Sequence, residues 1–311
     1  MTTTITRKTG DRLSGRIVAA FGRHYEVAVD HTDLIASTYK CYPRGKKSPY
    51  ACGDRVEIEL TAPDQGVIVQ MAPRENLLWR SDAFREKLIA ANLDQVVIVV
   101  ATEPGFSDLF ISRCIVAAES QGLDTLIVLN KSDVEERLAD ARARLAPFVA
   151  IGYPVLELSA RNDVRPLRAR LAGRRSILVG QSGMGKSTLT NALIPDARAA
   201  TREISAALDS GKHTTTLARL YSLPEGGWLI DSPGMQAFGL AHLEPDALAG
   251  LFRELQPHLG ECRFRDCRHE REPGCALQAA VAAGSVDARR FEHYNAVRDE
   301  IRGARKQAQG W

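Results

Sequence analysis

The chain has 311 residues, with 41 Lys and Arg against 38 Asp and Glu and a formal net charge of +3 at pH 7. That length exceeds one ordinary core of roughly 100–200 residues, so two or three domains are expected. A hydrophobic content of 44% with 25% charge excludes a disordered or collagenous chain, and so mild a net charge leaves any nucleic-acid partner to be decided by local clustering.

The polar start MTTTITRKTGD has no apolar signal-peptide core, and the chain is read as cytoplasmic. Residues 10–73 read as short strands split by turn residues: Gly15–Val18, Tyr25–Val29, Asp54–Leu60 and Gly66–Met71. Val56, Ile58 and Leu60 alternate as a strand with one buried face requires. A small β-barrel fits, and its size points to the OB type, whose loops bind nucleic acid. The stretch Lys40–Lys47 holds four cations (Lys40, Arg44, Lys46, Lys47) and no acid. It is expected to be a loop, either solvated or in contact with phosphate backbone. Cys41 and Cys52 lack neighbouring ligands at metal-binding spacing and are read as structural.

From about residue 90 the pattern becomes strand, helix, strand. Leu93–Val100, Thr125–Leu129, Val155–Leu158, Ser176–Val179 and Trp228–Ile230 are short, mostly continuous apolar runs, as in parallel strands covered on both faces. The most apolar run, Val96–Ala101, is far below the roughly 20 residues of a membrane span, so no membrane partner is expected. Ser107–Gln121 is expected to be a helix capped by Ser107, with Ile111, Cys114, Ile115 and Ala118 turned inward and Gly122 stopping it. Cys114 is then a core residue. The sum is a doubly wound α/β domain. After about residue 240 the strand signals vanish, and the remainder reads as helical, basic and cysteine-bearing. Its last helix, Arg289–Lys306, carries six Lys and Arg against three Asp and Glu; a packed helix and an RNA-facing one both fit. The expected organisation is 1–75 barrel, 76–240 α/β domain and 241–311 helical unit.

Gly180-Gln181-Ser182-Gly183-Met184-Gly185-Lys186-Ser187 matches G-x-x-x-x-G-K-[ST], between a strand and a helix that continues with Thr188. Backbone N–H groups there can close around phosphates, Lys186 can reach the β- and γ-oxygens, and the Ser187 hydroxyl can ligate Mg²⁺. Asn130-Lys131-Ser132-Asp133 follows a strand at the carboxyl edge, where such sheets bind ligands. Asp133 can accept two hydrogen bonds from guanine that adenine does not offer, which disfavours an ATPase or kinase. Ser159-Ala160, after the next strand, adds a backbone contact to the base. In Asp231-Ser232-Pro233-Gly234, Asp231 is expected to hold Mg²⁺ through water and the Gly234 N–H to bond the γ-phosphate. His213-Thr214-Thr215-Thr216 lies where a first switch belongs, with Thr215 assigned to Mg²⁺ and Thr214 as the alternative. Met235 stands where GTPases commonly place a water-positioning glutamine, and Gln236 sits one further on. Slow intrinsic hydrolysis is therefore expected, with His213 the candidate for orienting the attacking water.

Cys262, Cys267, His269 and Cys275 form C-x4-C-x-H-x5-C, three thiolates and an imidazole suited to one closed, structural Zn²⁺. Arg263, Arg265, Arg268 and Arg271 surround it, so a metal would stiffen a basic segment against RNA phosphates.

The order N-K-x-D, S-A, phosphate loop, threonine loop, D-x-P-G resembles a circularly permuted GTPase domain. With an OB-like barrel before it and a Cys/His cluster after it, the whole chain resembles the ribosome small-subunit-dependent GTPase family (RsgA, also called YjeQ). The resemblance implies hydrolysis of GTP to GDP and phosphate, stimulated by the small ribosomal subunit late in its maturation, with rRNA contacts through the barrel and zinc unit and a monomeric state. A different class of function, a nucleotide-gated RNA-binding placeholder whose hydrolysis is only a timer, fits the same motifs.

Overall fold

The structure, a computed structural model, describes residues 8–29, 37–45, 49–194, 218–232 and 238–308. Lys46, Lys47, His213, Thr214, Thr215, Thr216, Gly234, Met235 and Gln236 lie outside the described residues.

Five strands open the chain: β1 (Arg12–Ala20), β2 (Tyr25–Val29), β3 (Thr38–Pro43), β4 (Arg55–Ala62) and β5 (Gln65–Met71). They pair in the order β1-β2-β3-β5-β4 and close where β4 returns to β1; only the β3–β5 pairing is parallel. Closure leaves no free edge, the usual solution for a small all-β unit. Inward positions Ile17, Val27, Tyr39, Cys41, Ile58 and Ile68 form a core of their own. Lys40–Pro43, expected in a loop, belongs to β3. Tyr39 and Cys41 face inward while Lys40 and Tyr42 face out, so a period of two in apolar side chains outweighs the cations between them. The Lys40 ammonium lies 5.8 Å from the centroid of the exposed Tyr42 ring.

A hairpin that the sequence reading did not anticipate follows, β6 (Leu77–Ser81) with β7 (Glu86–Ala91). The α/β part then runs β8 (Gln95–Ala101), α1 (Asp108–Glu119), β9 (Asp124–Asn130), α2 (Leu138–Ala150), β10 (Val155–Glu157), α3 (Arg165–Leu171), β11 (Arg175–Val179), α4 (Lys186–Leu193), β12 (Arg219–Ser222) and β13 (Trp228–Asp231). Its sheet order is β10-β9-β8-β11-β13-β12, parallel except for β12 at the edge. Every residue of β8 is buried, which is why it reads as an unbroken apolar run. Ser107 caps α1 by accepting the Phe110 N–H at 3.2 Å, and Ile111, Cys114, Ile115 and Ala118 are buried as the periodicity requires. Ala19 of β1 pairs with Arg219 of β12, so barrel and α/β sheet run together as 11 strands.

Beyond β13 the described residues hold short 3-10 turns at Leu248–Leu251 and Gln256–His258, then α5 (Ala276–Ala282) and α6 (Ala288–Ala308). Leu248, Phe252, Leu277, Tyr294, Val297 and Ile301 join the apolar cluster that contains Ile111 and Ile115 of α1. The last helix is thus the packed alternative, and two of its cations, Arg290 and Arg298, are buried. Among the described residues no helix is long and apolar enough to cross a membrane.

Candidate nucleotide site and metal cluster

β9 ends at Asn130, β11 runs into Gly180 and β13 ends at Asp231, so the parallel pairing brings three separate motifs to one carboxyl edge. Gly185 opens α4 with φ +89°, and a Cβ there would lie 2.3 Å from Asn130 Nδ2. Both the backbone conformation and the contact require glycine. Asn130 is 1% exposed; its Nδ2 donates to the Met184 carbonyl at 2.9 Å and its Oδ1 accepts the Ala160 N–H at 2.9 Å. One side chain therefore ties the phosphate loop to the base-side loops although 54 positions separate it from Met184. Lys131, at φ +59°, donates to the Glu103 carbonyl at 2.8 Å, and the Ser132 N–H donates to Leu158. Asp133 is exposed, and the Ser159 hydroxyl beside it holds its carboxyl below the usual carboxylate range. A ready, ionised acceptor is what a guanine edge needs.

On the phosphate side Lys186 is buried, its Nζ donating to the carbonyls of Gly180 at 2.8 Å and Gln181 at 2.9 Å. Burial pulls its pKa down. Asp231 faces it; burial pushes that carboxyl up to about 6, against the opposing pull of the Lys186 ammonium and the Thr190 hydroxyl. Ser182, Gly183, Ser187 and Thr188 are exposed around the N-terminus of α4, where unpaired N–H groups and the helix dipole favour an anion. An acidic group, a hydroxyl and open N–H groups at one edge fit a divalent cation carried in with phosphates.

Two positioning contacts escaped the sequence reading. Gln181 Oε1 accepts the Ser107 N–H at 2.9 Å, lashing the phosphate loop to the start of α1. Thr190, one turn beyond Lys186, bonds the Lys186 carbonyl at 3.1 Å; an i, i+4 hydroxyl in a helix is the signal that was available.

The donor atoms of Cys262, Cys267, His269 and Cys275 all lie within 4.8 Å of one another. His269 Nδ1 is 3.6 Å from Cys262 Sγ and 3.5 Å from Cys275 Sγ. Thiolates at ~2.3 Å and an imidazole at ~2.0 Å around a tetrahedral ion put neighbouring donors roughly 3.5–3.8 Å apart, so the four side chains fit one metal ion. His269 reaches inward from a left-handed residue at φ +60°. Glu272, also missed from sequence, shapes that turn by accepting the N–H groups of Arg268, Glu270 and Arg271 at 3.0, 2.8 and 3.1 Å. Its own N–H first, and then those amides, hold its carboxyl at about 2. With an ion held by these four side chains, a strong chelator is expected to free the thiols of Cys262, Cys267 and Cys275 while buried Cys41, Cys52 and Cys114 stay silent. A colorimetric thiol titration under native conditions should rise by three per chain; no rise would contradict a bound ion.

Residues 71–241 match the RsgA GTPase family. The chain belongs to the RsgA GTPase family. A small ribosomal subunit biogenesis GTPase RsgA of Burkholderia pseudomallei (strain K96243) is 56% identical over 290 residues, 92% of this chain and 91% of that one. The protein of the same description from Paraburkholderia xenovorans (strain LB400) is 54% identical over 292 residues, covering 91% and 92%. Among solved structures, YjeQ from Thermotoga maritima superimposes with a TM-score of 0.71 at 30% identity, covering 94% of this chain and 99% of that one. YloQ, described as a circularly permuted GTPase, shares the fold with a TM-score of 0.68 at 24% identity, covering 96% and 98%. As an RsgA-family GTPase the chain is a hydrolase acting on GTP. The permutation is visible in this RsgA-family chain itself, where β9, bearing N-K-x-D, precedes β11 and the phosphate loop.

Proposed function

We propose that this GTPase couples GTP hydrolysis to late maturation of the small ribosomal subunit in the cytoplasm, contacting rRNA through the 1–75 barrel and the 241–311 unit, with 76–240 as the hydrolytic domain between them. The observation that carries the reading is the Asn130 bridge between Met184 and Ala160, because it makes the base-side and phosphate-side loops one site. In this reading Asp133 selects guanine, Ser159-Ala160 flank the base, and the loop from Gly180 to Thr188 encloses the phosphates with Lys186 on the transferred group. Ser187, Thr215 and Asp231 would hold Mg²⁺, which would supply neutralisation of phosphate charge. The Gly234 N–H bonds the γ-phosphate and His213 orients the attacking water. The Cys262, Cys267, His269 and Cys275 set takes Zn²⁺, stiffening the segment that carries Arg263, Arg265, Arg268 and Arg271.

Support for coupling comes from the far side of the Asp231 loop. Phe238 is buried, the next carbonyl, of Gly239, accepts the Ser81 N–H at 3.1 Å, and the His242 N–H donates to Ser81 Oγ at 2.8 Å. Trp79 stacks on His242 with centroids 4.0 Å apart. The chain leaving the γ-phosphate sensor is thus fastened to the β6–β7 hairpin before it enters the cysteine-bearing unit. Multiple-turnover GTP hydrolysis titrated with purified small subunits tests the proposal: a saturable rise is expected, and a flat rate contradicts it. His213→Ala should abolish the rise with nucleotide affinity intact; unchanged stimulated turnover removes that residue from the mechanism.

A further inference from the structure

The amino-terminal ends of β8 and β9 lie at the edge of the sheet opposite the nucleotide motifs. Seven residues at ~3.3 Å each separate the two edges by about 20 Å. A cleft of about 260 Å³ opens there, lined among others by Asp124, Thr125, Arg170, Arg174 and Arg253. Three guanidinium groups face one carboxylate. Arg174 pairs with Asp124, and Arg253 is held by Glu119 at 2.8 Å above the Tyr153 ring at 4.2 Å. Those pairings use only part of the five N–H donors on each guanidinium. Arg170, at the exposed end of α3, has no side-chain partner among the described residues. Thr125 is 6% exposed, and its hydroxyl is buried without a hydrogen-bond partner. Buried polar atoms are normally satisfied, and one that is not asks for a ligand or bound solvent.

We infer that this cleft binds a phosphate group. The fork of a guanidinium matches the oxygens of a phosphate, several forks converging on one cleft select a multiply charged anion over chloride, and the Thr125 hydroxyl can donate to one of its oxygens. No residue of the cleft belongs to the nucleotide site, so both are occupied at once. Arg170 and Arg174 flank the turn from α3 to β11, whereas Arg253 lies beyond β13. A phosphate held by all three fastens the cysteine-bearing unit to the α/β sheet. The phosphate belongs either to a free phosphorylated small molecule or to an RNA backbone.

The test uses the full chain saturated with Mg²⁺ and GDP, so that the phosphate loop is filled. Inorganic pyrophosphate is titrated in at constant ionic strength by calorimetry. One saturable event is expected in the wild type, weakened about tenfold or more in Arg170→Ala and Thr125→Val, the size of losing one charge-assisted contact. Both variants should keep the wild-type rate of unstimulated GTP hydrolysis, which shows that they are folded. A short single-stranded RNA is titrated in parallel: weakening by Arg170→Ala assigns the phosphate to RNA, and equal binding assigns it to a small molecule. No saturable pyrophosphate event, or one of equal affinity in wild type and Arg170→Ala, overturns the inference.

Discussion

Replacing Lys186 by alanine is expected to lower GTP turnover by about 10²–10³-fold, the scale set by removing one preorganised donor from a developing oxyanion. Lys186 Nζ is parked on the carbonyls of Gly180 and Gln181. In the proposed reading these carbonyls flank the phosphates, so a short movement would carry the ammonium onto a bound γ-phosphate. The substitution also takes away the cation that opposes burial at Asp231, whose carboxyl already stands at about 6. Asp231 should then hold its proton to higher pH and ligate a cation less well. Nothing in α4 depends on the ammonium group for its start, because Gly185 supplies the turn. Far-ultraviolet circular dichroism should therefore be unchanged while steady-state turnover falls. A loss smaller than about tenfold would place the transferred phosphate elsewhere.

The largest effect on stability is expected at Arg290, far from the nucleotide. Its side chain is 1% exposed and pairs at 2.6 Å with Glu254, whose side chain is 4% exposed. It lies between the Phe148 and Phe252 rings at 4.8 and 5.0 Å and donates to Ser112 Oγ at 2.6 Å. Arg290→Ala leaves the Glu254 carboxylate buried and alone, a defect that costs about 3–5 kcal/mol. Urea denaturation followed by tryptophan fluorescence measures it. Pairing Arg290→Met with Glu254→Leu removes both charges, keeps the volume and should recover most of the loss, as apolar replacements of buried ion pairs do. A single-variant cost under about 1 kcal/mol would mean that the contact is solvated.

The motifs that meet at the sheet's carboxyl edge were legible where each is local in sequence. A phosphate loop or an N-K-x-D turn works through backbone geometry and a few side chains at fixed spacing, so Lys186, Asn130 and Asp133 can be found without coordinates. The Cys/His cluster is legible for the same reason. What stayed hidden depends on distant partners. Gln181 is fixed by Ser107, Arg290 by Glu254 and Ser112, and no spacing rule connects them. The β6–β7 hairpin was missed because its turn has no glycine, asparagine or proline. Asp82 makes it instead, with one carboxylate oxygen accepting the Phe84 and Arg85 N–H groups at 2.8 Å each. β3 was obscured by cations on its outward face, and β12 becomes a strand only by pairing with β13 and β1. The barrel was read correctly as a class, but its order β1-β2-β3-β5-β4 needed the pairing itself.

The most direct test of the account is displacement of a fluorescent GDP from the Mg²⁺-loaded protein by unlabelled GTP and ATP. If Asp133 and Lys186 grip one nucleotide from its two ends, GTP should displace the probe at concentrations at least ~100-fold below ATP, and Asp133→Ala should erase most of that difference. Equal displacement by ATP and GTP in the wild type would contradict it.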